Sequence, residues 1–357
     1  MKRAFALPLL LVFLLTGCSG RTSAGQAAGT EQTPSPEQSS AAQPVTGTVF
    51  AMDTVMELTI YGGEDLLSAA RERIEELESK LSVTEESSEI YGVNHSGGGT
   101  LSADTADLLS RALDLCGRTN GALDLSIYPV VRAWGFTTGE YRVPGRGELE
   151  KLLAHVDYTR IDLDEASGRV SLADSMEIDL GSVAKGYTGD QVIALLREHG
   201  VTSALLNLGG NVQALGGKPD GSPWRIAVRD PFGDGYVGIL EVVDQAVITS
   251  GGYERYFVED GQTYWHIIDP AAGAPVRNGL VSVTIVGESG LVCDGLSTAL
   301  FVMGLEDAAA FWQQSDDFEA VLVTEDGQIH ITEGLEDVFS LPDQGSGLEG
   351  VTVIRRG

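Results

Sequence analysis

Between residues 203 and 286 the chain offers seven short runs of strand character, at 203–208, 224–228, 238–243, 246–249, 254–258, 263–268 and 280–286, with no helical pattern between them. Strands that adjoin in hairpins, with helices segregated to either side, specify an α+β fold built mainly on antiparallel sheet. The helical segments lie outside this run. Leu67, Ala70, Ile74, Leu77 and Leu81 recur at helical spacing over 64–81. A second amphipathic helix is expected over 103–116, with Ser102 as N-cap and Gly117 as its stop. Others are expected at 147–155, 183–199, 292–303 and 306–314. Residues 49–60 read as one strand, and 160–163 with 169–173 as a hairpin turning at Glu165-Ala-Ser-Gly168. No repeat of roughly 20–50 residues is visible, so the strands belong to one large domain beginning near residue 45.

The first 44 residues have a different character. Lys2 and Arg3 precede an apolar stretch, Ala4 to Leu15, that is too short to span a bilayer. Leu15-Thr16-Gly17-Cys18 then resembles a bacterial lipobox, which makes 1–17 a lipoprotein signal peptide and Cys18 the lipidated residue. Residues 18–44 lack aromatics and read as a flexible tether. The expectation is an extracytoplasmic protein held on the bacterial cell membrane by its lipid. The folded domain is placed at 45–342, and 343–357 is set apart as a C-terminal tail. Cys116 and Cys293 are expected to be buried free thiols.

A net charge of −29 argues against nucleic acid as a partner. It also means that a phosphate-bearing ligand needs local cations, a divalent metal among them. Only five lysines are present, and one of them, Lys185, stands at a helix start in Glu177-Ile-Asp-Leu-Gly-Ser-Val-Ala-Lys-Gly-Tyr-Thr-Gly-Asp190. Free N–H groups at a helix N-terminus together with this lysine favour an anion; an ordinary strand-to-helix turn with a surface lysine is the alternative. Asp179 can accept hydrogen bonds there. Leu206 to Gly216 carries paired glycines after a strand. Ile248 to Phe257 and His266 to Val276 read as a hairpin presenting Ser250, Glu254, His266 and Asp269. His266 is either a general base or a structural histidine. Asp294 and Thr298 lie one helical turn apart, on one face. They are either two hard oxygen ligands suited to Mg²⁺, or an N-cap and a helix-internal hydroxyl.

Taken together, these pieces resemble the ApbE family of bacterial FAD:protein FMN transferases. The matching segments run in order: Ala51 to Gly62, Asn120 to Phe136, Glu177 to Asp190, Leu205 to Gly217, Val247 to Phe257, His266 to Val276 and Asp294 to Gly304. The resemblance implies an ApbE-like, T-fold-related single large domain of two lobes. It implies an enzyme that binds FAD with Mg²⁺, releases AMP and attaches FMN to a threonine of a target protein, an exported subunit of an electron-transport complex. By position it places Met52 on the flavin ring, Gly121, Ala122 and Leu123 along the FAD site, and Asp179 and Lys185 in contact with FAD. The metal falls to the Ser182 carbonyl, Asp294 and Thr298, and His266 is the candidate to deprotonate the acceptor. Two positions depart from the family pattern. Asp53 replaces the usual glycine after the methionine. Thr84 replaces an aromatic, often tyrosine, that stacks in the FAD site, which keeps an FAD pyrophosphatase beside the transferase and a non-enzymatic flavin-binding lipoprotein as the third reading.

Overall fold

Residues 43–63, 65–342 and 350–357 are described by the computed structural model, so the signal peptide, Cys18 and nearly all of the tether lie outside the described residues. The chain opens with a hairpin, β1 (Pro44–Ala51) and β2 (Thr54–Tyr61), where a single strand over 49–60 is expected from sequence. The hairpin turns at Met52 and Asp53, whose φ angles of 49° and 59° are both positive. Such a two-residue turn matches the twist of the strands it joins. It also accounts for Asp53, because aspartate tolerates this region better than most side chains while glycine occupies it freely. Asp53→Gly is expected to stabilise the protein by up to about 1 kcal/mol, read as a raised denaturation midpoint; a lowered midpoint would refute this account of Asp53.

Next come α1 (Leu66–Leu81), α2 (Glu89–Ser96), β3 (Gly98–Thr100) and α3 (Ala103–Arg118). Gly117 does not stop α3, which continues to Arg118 and is closed by Thr119. Ser102 stands at its N-cap without a side-chain cap bond. Then follow α4 (Tyr128–Ala133), α5 (Arg146–Leu153), β4 (Ile161–Asp164), β5 (Arg169–Leu172) and α6 (Ala184–Glu198). The strand-rich part comprises β6 (Ser203–Leu208), β7 (Asn211–Leu215), β8 (Trp224–Arg229), β9 (Tyr236–Val242), β10 (Ala246–Gly251), β11 (Tyr256–Glu259), β12 (Gln262–Trp265), β13 (Ile268–Asp269), β14 (Ala274–Pro275) and β15 (Leu280–Gly287). The chain closes with α7 (Gly290–Met303), α8 (Leu305–Gln313), β16 (Phe318–Thr324), β17 (Ile329–Thr332), β18 (Phe339–Ser340) and β19 (Val351–Ile354). The last of these corrects the C-terminal boundary: part of the supposed tail is a strand, paired in parallel with β17.

A nine-stranded sheet in the order β1-β2-β6-β7-β10-β15-β16-β17-β19 forms the frame. Every pairing in it is antiparallel except the last. Its central strands are buried on both faces, and their alternation separates two cores. Ala246, Ile248, Val283, Ile285, Ala320 and Leu322 face the helical side, where they join Leu296, Ala299 and Leu300 of α7. Val247, Val286 and Val321 face a second sheet, β18-β9-β8, with Trp224, Ile226, Leu240 and Phe339. Cys116 and Cys293 are free and buried, as expected. Burial raises the Cys116 thiol to about 12. The described residues form one compact unit.

Candidate active site

Two helices on the same face of the main sheet, α6 and α7, create the site by touching at glycines. A Cβ on Gly186 would lie 2.1 Å from the Gly290 carbonyl oxygen and 2.7 Å from Asp294 Cβ. Only glycine permits that approach. The contact allows each helix to cap the other. Asp294, in the second turn of α7, accepts the Gly186 N–H at 2.8 Å. Asp190, one turn further along α6, accepts the N–H groups of Gly290 at 2.6 Å and Leu291 at 3.1 Å. The donors at a helix start have no partner within the helix, so a carboxylate from the neighbour satisfies them and meets the positive end of its dipole. Gln213 Nε2 adds a bond to the Gly186 carbonyl at 2.8 Å.

This arrangement settles the place of Asp294. The N-cap of α7 is Ser289, not Asp294. Asp294 is buried, and desolvation pushes its carboxyl upward, opposed by the charge of Lys185, the Gly186 N–H and the Asn211 amide. Because Gly186 gives its N–H to Asp294, the Ser182 carbonyl, four residues earlier, receives no backbone hydrogen bond among the described residues. Thr298 follows Asp294 by one turn, and its hydroxyl lies 3.3 Å from Ser250 Oγ, which also meets Ser297 Oγ at 2.7 Å. Among the described residues no group of three His, Cys, Asp or Glu side chains forms a metal cage. A free carbonyl, a buried carboxylate and a hydroxyl are instead a hard-oxygen donor set of the kind that suits Mg²⁺, so the residues present fit that ion.

Around Lys185, at the start of α6, stand further ionisable groups whose charges act on one another. Burial raises the carboxyls of Asp179, Glu254 and Asp294, and the Lys185 charge offsets part of that rise; the same charge adds to the burial that opposes protonation of His266. Arg255 acts in the same sense on Asp179, Glu254 and His266. Asp179, Lys185 and His266 are partly accessible and Glu254 is exposed, yet protein surrounds them closely enough to desolvate Asp179, Glu254 and His266. Solvent access together with desolvation is the mark of a cleft. Burial raises Glu254 to about 7, and it raises Asp179 as well. Asp179 is positioned on both sides: its N–H donates to the Leu125 carbonyl at 2.9 Å, and its Oδ1 accepts the Gly181 N–H at 2.8 Å. Asn94 pins the preceding residue, bonding both backbone groups of Ile178 at 2.8 Å.

His266 is held neutral. Burial first, then the Arg255 charge, lowers it from 6.5 to about 3. Its Nδ1 lies 3.3 Å from the Arg255 carbonyl, which can only accept, so the proton sits on Nδ1 and Nε2 carries the lone pair. This has a consequence for stability. Above pH 6.5 the histidine is neutral folded or unfolded and contributes nothing. Below it the unfolded imidazole takes up a proton that the folded one refuses, so stability falls with falling pH from 6.5 toward 3. The loss is at most about 1.4 kcal/mol per pH unit. His266→Gln should flatten the upper part of this acid limb in urea titrations; an unchanged slope would refute the assignment.

The remaining expected residues are spread more widely. Met52 donates its N–H to Glu78 Oε1 at 2.6 Å, and its sulfur lies 3.9 Å from the hydroxyl of Thr188 on α6, two residues beyond Gly186. Gly121 and Ala122 line an open groove of about 460 Å³ with Asp269, Pro270, Ala271 and Met303. Leu123 does not offer its side chain to a ligand, being buried in the core at 3% exposure. Thr84 is exposed in the turn between α1 and α2, bonded to Ser82. Asp269 caps its own turn through the Ala271 N–H at 2.8 Å. Sequence reasoning gave no role to Asp190, Asn94, Gln213 or Arg255. Asp190 had a signal, since it closes the quoted motif; the others act through contacts with residues distant in sequence.

The ApbE family model matches residues 52–322. The FAD:protein FMN transferase of Klebsiella pneumoniae (strain 342) is 35% identical over 301 residues, covering 82% of this chain and 93% of that protein. The FAD:protein FMN transferase of Vibrio cholerae (strain O395) is 34% identical over 281 residues, covering 77% and 84%. Among solved structures, the ApbE protein of Thermotoga maritima superposes with a TM-score of 0.78 at 32% identity, over 82% of this chain and 98% of that one. The apo form of the Pseudomonas stutzeri flavinyl transferase ApbE gives 0.75 at 30% identity, over 85% and 98%.

Proposed function

This chain belongs to the ApbE family, and we propose that it is an FAD:protein FMN transferase that moves FMN from FAD to a threonine hydroxyl of an exported protein and releases AMP. The observation that carries the reading is the gathering of Lys185, Asp179, Glu254, His266 and Asp294 around the start of α6. In the reaction the threonine oxygen bonds to the phosphorus on the FMN side of the diphosphate. The bond from that phosphorus to the bridging oxygen breaks, and AMP leaves with that oxygen. His266 Nε2 is the candidate acceptor of the hydroxyl proton. That role requires the negative charge of the FAD diphosphate to offset the burial and the Arg255 charge that hold the imidazole neutral. Lys185 supplies fixed positive charge where the phosphates must lie. The Ser182 carbonyl, Asp294 and Thr298 would hold Mg²⁺, which when bound neutralises charge on the diphosphate oxygens.

The lipobox-like segment at Cys18 supports an extracytoplasmic, lipid-anchored enzyme, and with it an acceptor that is an exported electron-transport subunit. One specific observation favours a second reading. Thr84 leaves an exposed turn without an aromatic side chain, which supports FAD hydrolysis to FMN and AMP on the same scaffold. Incubation with FAD, Mg²⁺ and threonine-bearing acceptors, followed by intact mass and nucleotide chromatography, separates the two. FMN added to the acceptor, and lost with chelator, is the expected result. Free FMN with AMP and an unmodified acceptor would overturn it in favour of the hydrolase.

A further inference from the structure

The hairpin of β11 and β12 is rooted in the cleft. Arg255 precedes it and His266 follows it, and the His266 N–H donates to the Arg255 carbonyl at 3.1 Å. Its two faces differ. Phe257 and Tyr264, paired across the strands, stack at 5.2 Å and turn toward Trp134, Phe136 and Tyr141, which anchors the hairpin to the body. On the other face Tyr256 and Val258 are 51% and 60% exposed. They sit opposite Trp265 and Thr263, with the Arg277 guanidinium 4.9 Å over the Trp265 ring. Among the described residues the two strands pair only with each other; the Arg277 guanidinium occupies the Thr263 carbonyl of β12, and β11 keeps an open edge of backbone donors and acceptors. The tip is acidic, at Glu259 and Asp260.

An exposed apolar face, an open strand edge and a root in the cleft together select an extended polypeptide. We infer that this hairpin docks the acceptor protein as an added strand, with its threonine at the cleft end and alternate apolar side chains against Tyr256 and Val258. The inference rests on the transferase reading above. An added strand gains affinity from main-chain bonds and selectivity from every second side chain. Charge complementarity at Glu259 and Asp260 places a lysine or arginine of the acceptor beyond those apolar positions. Two exposed side chains on a surface strand take no part in the core, so their replacement leaves the fold intact.

The probe is a pool of synthetic peptides with one fixed threonine and randomised flanks, offered with FAD and Mg²⁺ and read by mass spectrometry for added FMN. Labelled peptides are expected to be enriched in alternating apolar residues on one side of the threonine, followed by a basic residue. Tyr256→Ser with Val258→Ser should raise KM for a selected peptide by about 10-fold or more, with KM for FAD unchanged. Phe232→Ser, at a site 59% exposed in the loop between β8 and β9, should leave both constants alone. Labelling without any pattern, at equal peptide KM in wild type and double variant, overturns the docking assignment and leaves the transferase standing. FAD cleavage with no peptide labelled overturns the transferase reading, and the docking assignment with it.

Discussion

Asp294→Asn is expected to lower FMN transfer by about 10²–10³-fold while leaving the protein as stable as wild type or slightly more so. The asparagine oxygen can still accept the Gly186 N–H that Asp294 takes at 2.8 Å, so the start of α6 keeps its cap. What disappears is a buried negative charge, which desolvation disfavours, and with it the one anionic oxygen donor in the proposed set of Ser182, Asp294 and Thr298. Asp294→Ala removes charge and cap together. It should lower transfer at least as far and also cost about 1–3 kcal/mol, because a buried N–H is left without a partner. The two variants therefore separate chemistry from structure, with thermal midpoints and transfer rates as the paired readouts. Transfer by Asp294→Asn within about tenfold of wild type would remove Asp294 from the metal-binding set proposed above.

Gly186→Ala should be among the most damaging single methyl groups that could be added to the molecule. The new Cβ would lie 2.1 Å from the Gly290 carbonyl oxygen, which is backbone and cannot rotate away. The helices must move apart, at a cost of about 3 kcal/mol, and their separation breaks the Gly186–Asp294 bond and the Gly290–Asp190 bond together. Gly290→Ala should behave alike, since its Cβ would fall 1.8 Å from Gln213 Nε2 and 2.5 Å from the Gly186 carbonyl oxygen. Gly117→Ala is the contrast. That glycine is inside α3 with nothing within 4 Å of a Cβ, and alanine should stabilise the helix by about 0.5–1 kcal/mol. Denaturant midpoints for the three variants test the contact directly. A wild-type-like midpoint for Gly186→Ala would mean that α6 and α7 do not meet as described.

Period and punctuation were readable without coordinates because they are local. The strands of 203–208 and 280–286, the helix near 183–199 with Gly200 at its end and the hairpin at Glu165-Ala-Ser-Gly168 all lie within a residue or two of the observed elements. The errors came where local preference was indecisive. The break at Met52-Asp53 was missed because neither residue is a glycine, although both adopt positive φ. The strand β19 was missed because a four-residue segment acquires its partner, β17, only in the sheet. Gly117 was read as a stop because a glycine after an apolar periodicity looks like one, but here the helix carries it to Arg118.

The candidate site divides along the same line. Residue types and their spacing along the chain were enough to single out Lys185, Asp179, Asp294, Thr298 and His266, because a helix start, a one-turn spacing and a rare lysine are properties of short segments. No segment contains the reason that Asp294 stands at the start of α6. That depends on two glycines more than a hundred residues apart allowing two backbones to touch, so that a carboxylate from each helix reaches the free N–H groups of the other. Local sequence determines what each helix can offer; which donors are left unpartnered, and therefore where a charge can be held, is decided only when the helices pack.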